Sequence, residues 1–203
     1  MNTLKHAKPD HAIHPLIASR WSPYAFSGQA VETDKLLQCL EAARWAASSY
    51  NEQPWRFIVA TRDDTQAFAT MLGCLMEANQ GWAENAGVLI VTAAKKAFAK
   101  NDKPNRVAEH DVALAVANLT FQASELGLHV HQMAGLDLQK ARHTYHMPDG
   151  FDPVTAIAIG YAAPVSADTS DPLGQRDVSP RQRMPLSQWV FTGEWDKPAP
   201  FLG

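Results

Sequence analysis

The chain has 203 residues, 46% of them apolar and 19% charged, enough to bury a sizeable core and too apolar to stay disordered. Its formal net charge of −3 argues against a face built to neutralise nucleic-acid phosphates. No segment reaches the about 20 apolar residues of a membrane span, and residues 1–14 hold histidines but no apolar run of a secretory signal, so a cytoplasmic protein is expected, with no nucleic acid and no membrane as partner.

Residues 1–13 read as an N-terminal arm and residues 14–203 as one domain, without an internal repeat or a dividing linker. A helix is expected from Thr33 to about Ala46, capped by Thr33 or Asp34, with Leu36, Leu37, Leu40 and Ala43 at helical spacing. A polar turn follows at Ser48-Ser49-Tyr50-Asn51, then a short strand from Trp55 to Ala60 and a second helix over about Asp64 to Glu77. Val88 to Ala93 is a continuous apolar run, as in a strand covered on both faces. Lys95 to Arg106 suits a surface loop or lid. The longest helix is expected over Val107 to Leu126, with Gly127 as its left-handed stop. Leu128 to Met133 reads as a strand, Leu138 to His146 as a helix, and Val154 to Tyr161 as another buried strand. From Ala162 a tail rich in Pro and Asp is expected to wrap over a surface. Helices and strands mix without a βαβ repeat, so the fold class is α+β.

Several local patterns invite chemistry. Arg20 and Ser22 alternate around Trp21, which in an extended segment puts guanidinium and hydroxyl on one side. Arg181 and Arg183 repeat the alternation near the C-terminus, with Arg176 close by, and arginine forks suit phosphate oxygens. A solvated basic tail with an unrelated arginine explains the same spacing. No GxGxxG or P-loop is present. Ser48-Ser49-Tyr50-Asn51-Glu52-Gln53-Pro54-Trp55 offers uncharged hydrogen-bonding groups, and Gly135 after Ala134 permits close backbone approach to a flat ligand; each is equally an ordinary turn. Asn79 is either a helix C-cap or a ligand donor. His129 and His131 share a strand face, and His143 and His146 lie one helical turn apart, but neither pair brings the third ligand of a metal site. Cys39 and Cys74 lack C-x-x-C spacing and read as buried thiols. No nucleophile triad is evident.

Taken in order, these segments resemble the nitroreductase family. The matching pieces are Arg20-Trp21-Ser22, the stretch SSYNEQPWRF at 48–57, Asn79 upstream of a buried strand, MAGLD at 133–137, AIAIGY at 156–161 and RQRMPL at 181–186. The resemblance spans about residues 14–195. It implies a three-layer α+β fold with a central, mostly antiparallel sheet flanked by helices, in an intertwined homodimer that holds FMN at its interface. Arg20, Trp21, Ser22, Tyr24, Arg181 and Arg183 then belong to the cofactor site, with the arginines and Ser22 at the phosphate and ribityl end. Asn79 meets the pyrimidine edge, and Ala134 and Gly135 turn N–H groups toward flavin O4 and N5. Ser48, Ser49, Asn51 and Gln53 come from the partner chain. No catalytic side chain and no metal is implied: hydride from NAD(P)H passes through flavin N5 to a flat electrophile such as a nitroaromatic or quinone, in ping-pong order. A flavin-storing or flavin-sensing protein, or a family member performing reductive dehalogenation or flavin reduction, is the alternative. Tyr24 departs from the pattern, since the family usually carries Arg or Lys there. Ala134 departs too, where some members have an acidic residue.

Overall fold

Four strands form one antiparallel sheet in the order β1-β2-β4-β3, with β1 at Trp55–Thr61, β2 at Val88–Lys95, β3 at His129–Met133 and β4 at Phe151–Gly160. The computed structural model describes residues 3–164 and 172–202. The central strands are apolar on both sides because helices cover both sides. One face carries α2 (Thr33–Arg44) and the long α5 (Ala108–Glu125), whose Cys39, Ala43, Val112, Val116 and Leu119 meet Val88, Ile90, Val130 and Ile157. The other carries α3 (Thr65–Leu72), α4 (Glu77–Ala83) and α6 (Leu138–Thr144), whose Phe68, Met71, Trp82 and Ala141 meet Leu89, Val91, Met133 and Ala158. This is the expected three-layer α+β arrangement. Among the described residues no helix is long and apolar enough to cross a membrane. Both cysteines are buried and free, as expected, and burial pushes the Cys39 thiol up to about 11.

Strand alternation decides which side chains reach which face. In β3, Val130 points to the α2/α5 face, while Met133 belongs to the opposite cluster. His129 and His131 therefore project with Met133, away from α5. Gly127 takes φ +76° after α5, a conformation that favours glycine, and turns the chain into β3 as expected.

Several boundaries differ from the sequence reading. Glu32 stands at the cap of α2 without a side-chain capping bond, its carboxylate accepting instead from Tyr161 and Lys35, and Thr33 begins the helix proper. The expected helix over 64–77 is broken. Asp64 caps α3 by accepting from the Ala67 N–H at 3.0 Å, the helix stops at Leu72, and Leu75 forms a bridge with Leu136. Asp137 N–H donates to Cys74 C=O at 2.9 Å across the same junction, so a remote strand-like pairing overrides local helical spacing. Asn79 consequently lies inside α4 rather than at a helix end. The C-terminal segment contains a further helix, α7 (Pro172–Val178), where only a wrapping tail was expected; residues 165–171 of that tail lie outside the described residues. The N-terminal arm is tied down in part: Ala7 N–H donates to Ala18 C=O at 2.8 Å, and Lys5 donates to the carbonyls of Arg176 and Ser179. A short helix α1 (Pro15–Ser19) then leads into Arg20.

Candidate flavin site

The segment after α1 runs extended beside β3. Arg20 Nη1 donates to Ser22 Oγ at 3.2 Å, which is the same-side geometry the alternation predicts. Trp21 is buried with its ring edge-on to His129 at 5.5 Å, and His131 Nδ1 donates to Pro23 C=O at 2.8 Å. The segment is pinned from below by Asp177 of α7, which is 2% exposed. Its carboxylate accepts from Tyr24 N–H at 3.0 Å and Ala25 N–H at 2.9 Å.

Arg181 and Arg183 join Arg20 at this end. Burial, then the neighbouring Arg181 and Arg183 guanidiniums, push the Arg20 pKa down; burial and Arg183 do the same to Arg181. Arginine stays charged through such shifts. Three like charges therefore stand together, and among the described residues none of the three lies in an ion pair. Arg181 is held by the carbonyls of Lys5 at 3.3 Å and Ala18 at 2.8 Å, whereas exposed Arg183 bonds only to the adjacent Gln182 C=O. Such a cluster needs an anion, and a dianionic phosphate matches three forks. His129 Nδ1 next to it is buried and has no hydrogen-bond partner, which leaves a polar atom for a ligand to meet.

The other end of the strip lies where β3 runs out. Asn79 Nδ2 donates to Gly135 C=O at 3.1 Å, and Trp82 Nε1 donates to Asn79 Oδ1 at 3.3 Å. A Cβ on Gly135 would collide with Asn79 Nδ2, so a larger residue here would displace the Asn79 amide from this contact. Ala134 is exposed beside it. The strip from His129 to Met133 separates the two ends by about 13 Å. Arginine forks at one end and an amide beside a close-approaching backbone at the other fit the phosphate and heterocycle of FMN.

Tyr24 fills the middle of the strip. Its ring meets Trp82 at 5.3 Å and His131 at 4.7 Å, both edge-on, and its hydroxyl accepts from Arg176 Nη1 at 2.9 Å. The cation nearest this ring is thus Arg176 of α7, which also lies over it at 5.5 Å. Arg56 sits at the far end of the sheet, bonded to the carbonyls of Gln53 and Trp55.

Ser48, Ser49, Asn51 and Gln53 are elsewhere. They precede β1 on the opposite sheet edge and attach to the α5 side: Ser49 N–H donates to Asp111 Oδ2 of α5 at 3.0 Å. Tyr50, Asn51 and Gln53 all have φ between 51° and 56°, left-handed values uncommon outside glycine. Gln53 N–H to Ser48 Oγ at 3.1 Å and Gln53 Nε2 to Asn51 C=O at 3.0 Å hold the strained loop, with Tyr50 93% exposed. The chain therefore brings together Arg20, Trp21, Ser22, Tyr24, Asn79, Ala134, Gly135, Arg181 and Arg183 on one face, and keeps the SSYNEQP loop on the other. Asp177 and Asp111, the carboxylates that hold each half in place, were not singled out from the sequence. For Asp111 a signal existed: it falls on the buried stripe of α5 with Ala115 and Leu119.

Among the described residues no group of His, Cys, Asp or Glu is arranged to hold a metal ion. Burial instead holds the His129 and His131 pKa values below the ordinary histidine value; the Arg20 charge adds to this at His129, and the Pro23 bond opposes it at His131. The unfolded chain then binds more protons than the folded one between the depressed values and about 6.5. Stability of the flavin-free protein should be full above about pH 6.5 and fall as pH drops through that window. Urea midpoints across pH 4.5–8 check this. His131→Gln should flatten the acid limb, and an unchanged limb would remove His131 from it.

Comparisons with known proteins identify the family and the fold. The family model described as "Nitroreductase family" matches residues 17–78 and 66–161. The crystal structure of an oxidoreductase containing FMN is 34% identical, with a TM-score of 0.85, over 93% of this chain and 95% of that one. An FMN-dependent nitroreductase from Clostridium difficile R20291 is 26% identical, with a TM-score of 0.63, over 77% of this chain and 93% of that one. An uncharacterized 15.4 kDa protein of Mycolicibacterium smegmatis is 33% identical over 150 residues, 70% of this chain and 99% of that protein. On the family match and these relatives, the chain belongs to the nitroreductase family.

Proposed function

We propose that this protein is an FMN-dependent oxidoreductase that takes reducing equivalents from NAD(P)H and delivers them to a flat electrophile such as a nitroaromatic or quinone. The observation that carries this reading is the uncompensated Arg20–Arg181–Arg183 cluster at one end of a strip that finishes at Asn79 and Gly135. Arg20, Ser22, Arg181 and Arg183 bind the phosphate and ribityl chain. Trp21 and Tyr24 line the strip. Asn79 bonds the pyrimidine edge, and the backbone of Ala134 and Gly135 approaches the ring. FMN, when bound, supplies hydride transfer at N5. The residues orient it and exclude water; no side chain of the chain is assigned acid–base work.

The site is completed by a second copy. Ser48, Ser49, Asn51 and Gln53 lie across the sheet from their own chain's arginines, and their loop is exposed and pre-shaped, so it serves the flavin of a homodimer partner. Exposed Leu37 and Trp45 flank a groove of about 540 Å³ between α2 and α5, whose other lining residues include Gln38, Glu41 and Gln122, a mixed surface suited to such contact.

Purified protein should be yellow, release FMN rather than FAD, and turn over NADPH or NADH with a quinone. Because donor and acceptor use the same flavin face in turn, double-reciprocal plots should be parallel. Intersecting lines would overturn the shared face, and bound flavin without turnover would point to storage or sensing instead.

A further inference from the structure

A second polar site sits away from the arginine cluster, at the N-terminus of α5. A cavity of about 320 Å³ there is lined by Ala94, Lys96, Asn105, Arg106, Ala108, Glu109 and Asp152. Asn105 is 5% exposed. Its backbone N–H donates to Lys96 C=O at 2.7 Å, and its side-chain Oδ1 accepts from Val107 N–H at 3.2 Å. Only the amide oxygen can take that N–H, so the orientation of the amide is fixed. Nδ2 is then left buried with no hydrogen-bond partner. A buried donor without an acceptor is rare in folded proteins and calls for one from outside.

The surroundings specify what kind. At the start of the 18-residue α5, Asn105 already takes the Val107 and Ala108 N–H groups, which leaves those of Glu109 and His110 without intrahelical partners at the positive end of the helix dipole. Exposed Arg106 lies in no ion pair among the described residues. Asp152 is a weak opponent, because Arg142 holds it at 2.7 Å and Lys96 at 3.5 Å. Glu109 is the one lining carboxylate left uncompensated, and it is exposed. Asn105 and Arg106 thus line the cavity beside the helix end, with Lys96 shared with Asp152.

We propose that this cavity is an oxyanion-binding site, separate from the flavin cradle, that takes a phosphate or carboxylate group. It adjoins the SSYNEQP loop through Asp111 of the same helix turn and through Lys95, which pairs with Glu52 at 3.2 Å. On the dimeric reading above, that loop covers the partner's flavin. The source of the oxyanion, though not its binding, rests on that reading: it is either the 2′-phosphate of NADPH or an acidic group on the electrophile.

The test uses FMN-saturated, 15N-labelled protein, so that the arginine cluster is already filled, and inorganic phosphate as the probe. The side-chain amide resonances of Asn105 should shift saturably with phosphate and not with chloride at equal ionic strength. Arg106→Gln should weaken phosphate roughly tenfold, and Glu109→Gln should tighten it, a pair of opposite signs that a structural defect does not produce. Displacement of phosphate by NADP+ but not NAD+ assigns the site to the reductant; displacement by benzoate assigns it to the substrate. Absence of a saturable shift, an equal response to chloride, or equal affinity in all three proteins overturns the proposal. If the protein fails to hold FMN, phosphate shifts would appear at Arg20 and Arg183 as well, and the Asn105 signal still reads this cavity alone.

Discussion

Arg183→Ala is expected to weaken FMN binding by about 1.5–3 kcal/mol, the range for a lost hydrogen bond to a charged group. Arg183 is the cleanest of the three arginines to remove. It is exposed and bonds only to the carbonyl of its neighbour Gln182, so the fold loses little with it. Arg181 would confound the measurement, because it ties α1 and the N-terminal arm through the carbonyls of Ala18 and Lys5. Arg183→Lys should recover part of the loss, since it restores charge without the planar fork. Fluorescence titration of flavin-free protein reads the effect. Unchanged affinity in Arg183→Ala would remove Arg183 from the site.

Asp177→Ala is expected to destabilise the fold by about 2–5 kcal/mol. The part-buried N–H groups of Tyr24 and Ala25 lose their acceptor, at up to about 1–3 kcal/mol each. Lys5 also loses the carboxylate whose charge offsets its burial. Asp177→Asn keeps one acceptor oxygen and should cost less. The segment released carries Arg20 and Ser22, so FMN affinity should fall together with the denaturation midpoint. A midpoint within about 0.5 kcal/mol of wild type, the usual range for an uninvolved surface position, would show that α7 does not anchor the site.

Where packing and local pattern agree, the sequence was legible. The apolar run at Val88 announced a strand covered on both faces, and Gly127 announced the end of α5. The alternation of Arg20 and Ser22 foretold their mutual bond. What escaped depends on partners remote in sequence. The break after Leu72 comes from pairing with Leu136, and α7 lies in a segment whose prolines and aspartates suggested only irregular chain. Asp177 and Asp111 each hold remote backbone N–H groups, and such a carboxylate leaves no periodic trace. The arginine pairs were ambiguous by spacing alone, because nothing in the spacing tells that residues near position 20 and position 183 meet. Tyr24 looked like a loss of charge beside the flavin, yet α7 brings Arg176 onto its ring.

The central claim is that each flavin is held by the arginine face of one chain and the SSYNEQP loop of another. Mixed dimers test it most directly. One chain carries Arg20→Ala with Arg183→Ala; the other carries Asn51→Asp, a residue at ease in the left-handed region that adds a negative charge to the loop. Each homodimer should bind FMN weakly. In the heterodimer one site collects both defects and the other collects neither, as two-fold symmetry requires. The account predicts one tightly held FMN per heterodimer, with wild-type affinity. A heterodimer with no tight site would mean that each chain builds its flavin site alone, and would contradict the account.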